Sequence, residues 1–388
     1  MVKVIYRLMF FDLTVKIRNT VSTLKHRIVN NNFSQFFSLK NASRKNIFTL
    51  DLHTSVVRDF TPLIKVFNVY VNRWSISGSS RLFNEPNLKL KIINGSTWKD
   101  LNITMIEKFQ KKYSRFLGKQ DGFILSYTFS FIELFEKYGK PILGINATRY
   151  ESPYTFQMNS FLDLNASLQN YQNLYLISNN IGDKDYLKYF TGLESQYIPS
   201  LCDYTVQNKP ENDKWIIQCR NHDLAVNIAS INRNIEPSFK IWPNGYSYKQ
   251  LSIVKGIILI PYNISTMGMF ELTTAGFPIR IPSDRLLIQL SSMPGVLSEL
   301  SYAQVHQRKV LQMNENSPMD PTWDKFYNWW LERADWNNTD YFPNVSRFDS
   351  FEELDFDPKP FKMETIFDRN AKIYELWKTS LARFTNLL

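Results

Sequence analysis

The sequence predicts an α/β protein: two units of parallel sheet with helices on their faces, then a helical segment. Two observations carry this. Short apolar runs alternate with stretches of helical spacing and with Gly or Pro stops, the order of a parallel sheet. The length of 388 residues, 44% hydrophobic and 15% aromatic, supplies two cores of ordinary size. Between them lies D-Y-T-V-Q-N-K-P-E-N-D, residues 203–213, polar and without periodicity, the best linker in the chain.

Residues 1–45 form a basic segment, with nine Lys/Arg against the single acid Asp12, and they hold most of the net charge of +10. The run V-I-Y-R-L-M-F-F-D-L-T-V-K-I-R mixes large apolar side chains with cations. Such a segment suits an anionic membrane surface, and equally a solvated flank of the first unit. No nucleic-acid-binding motif accompanies it, which speaks against that partner. No run approaches the roughly 20 apolar residues that span a bilayer, and charges break up any secretory core at the N-terminus. Two cysteines, Cys202 and Cys219, make neither a disulfide framework nor a metal cluster and fit a reducing, cytoplasmic setting.

The first unit spans 46–205. Ile47–Leu50 reads as a strand, and Asp51 and His53 follow at its carboxyl end, where parallel sheets bind ligands. Each is a candidate general base; each could also be a plain turn or cap residue. Val56–Ile64 carries a helical return, Trp74–Arg81 a small-residue turn, and Asp100–Lys119 an exposed helix. In 121–151, a strand, a helix stopped by Gly139 and the strand K-P-I-L-G-I-N lead to Arg149 and Glu151. Arg149 has the planar fork that grips a phosphate or carboxylate of donor or acceptor, and Glu151 competes with Asp51 as base. Asn173–Ser178 is a further strand. Asp183-Lys184-Asp185 and Asp355-Phe356-Asp357 each offer two carboxylates at metal-binding spacing, but Asp183 and Asp185 read better as helix N-terminal acids, so no metal is assigned.

The second unit spans 206–320. Trp215–Cys219 is a strand, Leu224–Ile231 a helix, Phe239–Trp242 a strand and Tyr248–Val254 a short helix. Arg220 stands in the first exit loop, placed to neutralise an anion. The clearest stretch is Gly256–Arg285. Gly256–Pro261 is almost wholly apolar, as in a strand buried on both faces. A polar turn follows, then a helix over Met269–Thr274 ended by Gly276 and Pro278, and a strand at Ile279–Pro282. Ser265, Thr266 and the Gly268 amide therefore stand at a helix N-terminus, which attracts phosphate. Glu271 falls one turn on.

S-T-M-G-M-F-E-L-T-T-A-G-F-P resembles the sugar-nucleotide signature in the C-terminal domain of GT-B glycosyltransferases. The resemblance is close over about thirty residues and loose over the two-domain plan. It implies two Rossmann-like domains facing a cleft, the first for acceptor and the second for a nucleotide-sugar donor. It further implies that Ser265 and Thr266 hold the diphosphate and that Glu271 accepts from the ribose hydroxyls. Many retaining members carry a second Glu eight residues before the ribose Glu; Asn263 stands there, which favours inversion.

Residues 321–388 are aromatic-rich, from Trp323 to Phe348, and finish in a helix after Met363 that the resemblance returns to the first domain. The aromatics suit a helical core face or a sugar platform. The reading is a metal-independent inverting glycosyltransferase, cytoplasmic or peripheral on a membrane. Its co-substrate is a nucleotide-sugar, its acceptor a glycan or glycoconjugate, and it needs no further cofactor. The alternatives are a nucleotide-sugar epimerase of the same plan and a non-catalytic binder of an anionic ligand.

Overall fold

A computed structural model describes residues 44–51, 53–76, 91–126, 128–352, 354 and 361–388. Most of the basic segment, the turn after Ile76 and Asp355–Asp357 lie outside these residues. For Asp51 the backbone alone is described.

Two all-parallel sheets organise the chain. The first contains β1 (Lys45–Asp51), β2 (Val69–Ser75), β3 (Gly122–Leu125), β4 (Ile142–Asn146), β5 (Leu174–Ser178) and β6 (Gln196–Tyr197), in the order β2-β1-β3-β4-β5-β6. The second contains β7 (Trp215–Gln218), β8 (Ile235–Pro237), β9 (Gly256–Leu259), β10 (Ile279–Pro282) and β11 (Val345–Phe348), in the order β11-β10-β9-β7-β8. Each sheet runs outward in both directions from its first strand, so the chain reverses between β1 and β3 and again between β7 and β9. Those are the switch points at which parallel sheets form ligand crevices. The architecture is thus two Rossmann-like units with a long terminal helix, Met363–Thr385.

The central strands are buried on both faces because helices cover them; β3, β4 and β10 are buried throughout. Large aromatics fill the first core, with Phe123 stacked on Phe135 at 4.6 Å and Trp74 on Phe116 at 5.0 Å. Gly276 ends the helix Met267–Ala275 at φ 77°, the left-handed conformation that glycine adopts without strain.

Three elements differ from the sequence reading. Phe239–Trp242 is not a strand: Ser238–Ile241 makes one helical turn, and the strand is Ile235–Pro237 just before it. This edge strand tolerates Pro237 because one side of its ladder is unpaired. Val69–Ser75 and Val345–Phe348 are edge strands that the sequence reading did not single out. Aromatics of 321–350 are largely core: Phe326, Trp330, Trp336 and Phe342 are buried.

The terminal helix returns to the first unit. Trp377 Nε1 donates to the Pro199 carbonyl at 2.9 Å, and Lys45 Nζ donates to the Leu388 carbonyl at 2.7 Å. Among the described residues no helix is long and apolar enough to cross a membrane. The passage between units is fastened by Asp59, buried in the helix Thr54–Lys65. Its carboxylate accepts from the amides of Leu201 at 3.1 Å and Cys202 at 2.7 Å. Burial nonetheless pushes Asp59 up to about 6. Asp59→Ala strands both amides away from water and should cost about 2–4 kcal/mol, read as a lower urea midpoint at unchanged slope.

Candidate functional site

A cavity of about 720 Å³ lies between the carboxyl edges of the two sheets. His53 after β1, Ala147–Arg149 after β4 and Asn179 after β5 line it from the first unit. Arg220 after β7 and Tyr262, Asn263, Ser265, Thr266 and Met267 after β9 line it from the second. Both switch points therefore open into one space, as expected of loops at the carboxyl ends of facing parallel sheets.

The second-unit wall is the amino end of the helix Met267–Ala275. Thr266 is its N-cap and accepts from the Met269 amide at 3.3 Å. The first-turn amides of such a helix lack partners within it and carry its positive end. Ser265 and Thr266 line the cavity, and Gly268 follows in that first turn. Arg220 lies across the Tyr262 ring, 3.2 Å from its centroid, and pairs with Glu299.

On the opposite wall, His53 is half-buried, and desolvation holds its imidazole below the ordinary value of 6.5. Burial disfavours the imidazolium there. Asp51 ends β1 two residues earlier, in register with Ser75.

Arg149 is buried and spans the two units. One terminal nitrogen meets Asp183 at 3.3 Å and Asn263 Oδ1 at 3.4 Å; the other donates to the Glu299 carbonyl at 3.1 Å. Its guanidinium also lies 5.4 Å from the Trp330 ring centroid. The Asn180 side chain donates to Asp183 at 2.7 Å and, as the cap of the helix Ile181–Thr191, accepts from the Asp183 amide. Burial still raises Asp183 above the usual range and outweighs the pull of Arg149. Asp185 is bound instead to Arg333 at 3.0 Å. The two carboxylates of Asp183-Lys184-Asp185 thus serve two different cations.

Glu151 is fully buried and does not line the cavity. It accepts from the Tyr186 hydroxyl at 3.0 Å, and burial pushes it up to about 7. Glu271 also stands off the cavity wall. Its carboxylate accepts from Tyr204 at 2.7 Å and from Tyr248, with the Arg58 charge nearby. Desolvation raises it despite those partners. Sequence reasoning did not single out Glu299, Trp330 or Tyr262 as site residues, because nothing local marks a residue whose partner lies far along the chain.

No protein-family model and no curated protein matches the sequence. Several solved structures resemble the chain at low identity. A proposed UDP-N-acetylglucosamine 2-epimerase from Listeria monocytogenes is 11% identical at a TM-score of 0.40, covering 62% of this chain and 79% of that one. The S. aureus MnaA protein solved with UDP is 13% identical at 0.40, covering 75% and 92%. The glycosyltransferase SnogD from Streptomyces nogalater is 9% identical at 0.39, covering 89% and 100%. The architecture stated above rests on this chain's own strand order and register.

Arg149→Ala leaves Asp183 buried without its cation. It should destabilise the protein by about 3–5 kcal/mol in chemical denaturation, the cost of breaking a buried pair. A loss below 1 kcal/mol would show that Asn180 and its neighbours satisfy Asp183 alone.

Proposed function

We propose that the protein is a glycosyltransferase that moves a sugar from a nucleotide-sugar to a glycan or glycoconjugate acceptor, with inversion and without a metal. The observation that supports this most is the helix N-terminus after β9, beside the second sheet's switch point. It opens with Ser265, Thr266 and Arg220 onto a cavity whose far wall carries His53. The donor diphosphate would lie at the helix amides, and the negative charge that builds on the leaving nucleoside diphosphate would be stabilised there. Arg220 would exchange Glu299 for the diphosphate. His53 would take the proton of the acceptor hydroxyl as its oxygen attacks the anomeric carbon and the bond to the diphosphate breaks. A cavity enclosed by both units would keep out the water that hydrolyses such donors.

A turnover screen with UDP-, GDP- and CMP-sugars tests this reading. Release of nucleoside diphosphate or monophosphate, persisting in EDTA, supports a metal-independent transferase. Interconversion of the sugar without release would identify an epimerase, and binding without turnover a non-catalytic binder. His53→Ala should lower turnover by roughly 10²-fold or more. The acid limb of the wild-type rate profile should lie below 6.5, because the base is active when neutral and its midpoint is lowered.

Glu271 stands off the cavity wall, so a ribose contact would need the nucleoside to reach past that wall to its part-exposed side. An ionised carboxylate has about four lone-pair sites, so the two tyrosines leave room for hydroxyl donors. Glu271→Ala should weaken nucleotide binding by roughly 10- to 100-fold in calorimetric titration, at about 1.4 kcal/mol per decade. Unchanged affinity in the folded variant would assign Glu271 to its tyrosine cluster alone.

A further inference from the structure

The cavity has a second end that the donor reading does not use. Trp98, Lys99 and Phe156 of the first unit line it there, and Tyr302, His306 and Arg308 of the second. These side chains meet across the opening. Arg308 lies over the Phe156 ring at 5.3 Å, and His306 approaches the same ring edge-on at 5.9 Å. Lys99 lies 5.8 Å from the Trp98 centroid.

The charges here are unbalanced in a defined way. Of the arginines and lysines on the cavity wall, Arg149 and Arg220 are committed to Asp183 and Glu299. Lys99 and Arg308 have no carboxylate within ion-pair distance among the described residues, and the remaining acid on the wall is Asp100. Both cations act on one point: His306 is held below its ordinary value first by burial, then by Arg308 and Lys99. A half-buried Trp98 ring beside Lys99, in the same cavity end as Arg308, combines an apolar platform with a positive field.

We infer that this end of the cavity receives an anionic acceptor, a saccharide whose ring lies on Trp98 and whose carboxylate or phosphate lies between Lys99 and Arg308. The assignment rests on the transferase reading, since it makes this group the second substrate. It sets the acceptor's charge class, which the fold alone leaves open. Exposed cations attract such a group through solvent, so the preference falls as salt rises. With the anion in place the His306 imidazolium is favoured and its titration midpoint rises.

The experiment uses the full chain. UDP, GDP and CMP are titrated first. The nucleotide that binds is then held at saturation while glucuronate, glucose 6-phosphate and glucose are added, followed by calorimetry and by histidine NMR with His306→Asn for assignment. Glucuronate or glucose 6-phosphate should bind about tenfold or more tightly than glucose, and raise the His306 midpoint. Preference between the two anions tells carboxylate from phosphate. Lys99→Ala combined with Arg308→Ala, both exposed positions, should abolish the preference and leave nucleotide affinity unchanged. Equal binding of glucose overturns the inference and leaves the donor site standing. Displacement of the nucleotide by the anions overturns it too, by placing them in the diphosphate position. If no nucleotide binds, the transferase reading fails, and the acceptor assignment fails with it.

Discussion

The buried guanidinium of Arg149 is the contact on which the cleft depends. A cation without water must be matched at close range, and its partners come from both units: Asp183 from the first, Asn263 and the Glu299 carbonyl from the second. Satisfying one side chain therefore fixes the distance between the β4 and β9 exit loops. Gly182 reinforces this, because a Cβ there would overlap the Ile264 side chain. With one, the Ile264 side chain would have to shift for the helix Ile181–Thr191 to keep its approach.

From that constraint the rest of the site follows. Two sheets with the same outward-running strand order present their reversals to one space. The loops after β1 and β7 open at the switch points, and those after β4, β5 and β9 complete the walls. The first unit contributes the His53 imidazole, the second a helix amino end and an arginine. The proposed diphosphate and proton-acceptor roles would thereby fall on opposite walls, as a reaction between two bound substrates requires.

Local signals made part of this legible. Gly256–Pro282 could be read nearly residue by residue, because an apolar run, a capped helix, a glycine at a left-handed position and a second apolar run are all short-range features. Edge strands were harder. Val69–Ser75 and Val345–Phe348 are polar at several positions because one side of each meets solvent rather than a neighbour. Around Ile235–Ile241 two short apolar clusters compete, and the strand takes the first. Pairings were beyond reach from sequence. Arg149 and Asn263 lie 114 positions apart, and no periodicity links them. Glu151 looked like a base from its place after a strand, and only the packing of Tyr186 over it shows that it is enclosed.

The return of the helix Met363–Thr385 carries a consequence for synthesis. Lys45 of the opening strand and Leu388 bond to each other across 343 positions. A ribosome adding 5–20 residues per second needs roughly 20–70 s to cover that interval. Once Tyr197 closes its last strand, the first sheet is entirely translated and still lacks the helix that supplies Trp377, Leu381 and Phe384 to its buried interior. The second unit is meanwhile made and able to fold. The first unit is therefore completed only after the second has been made, and nascent chains carry an uncovered apolar face until the helix Met363–Thr385 has emerged.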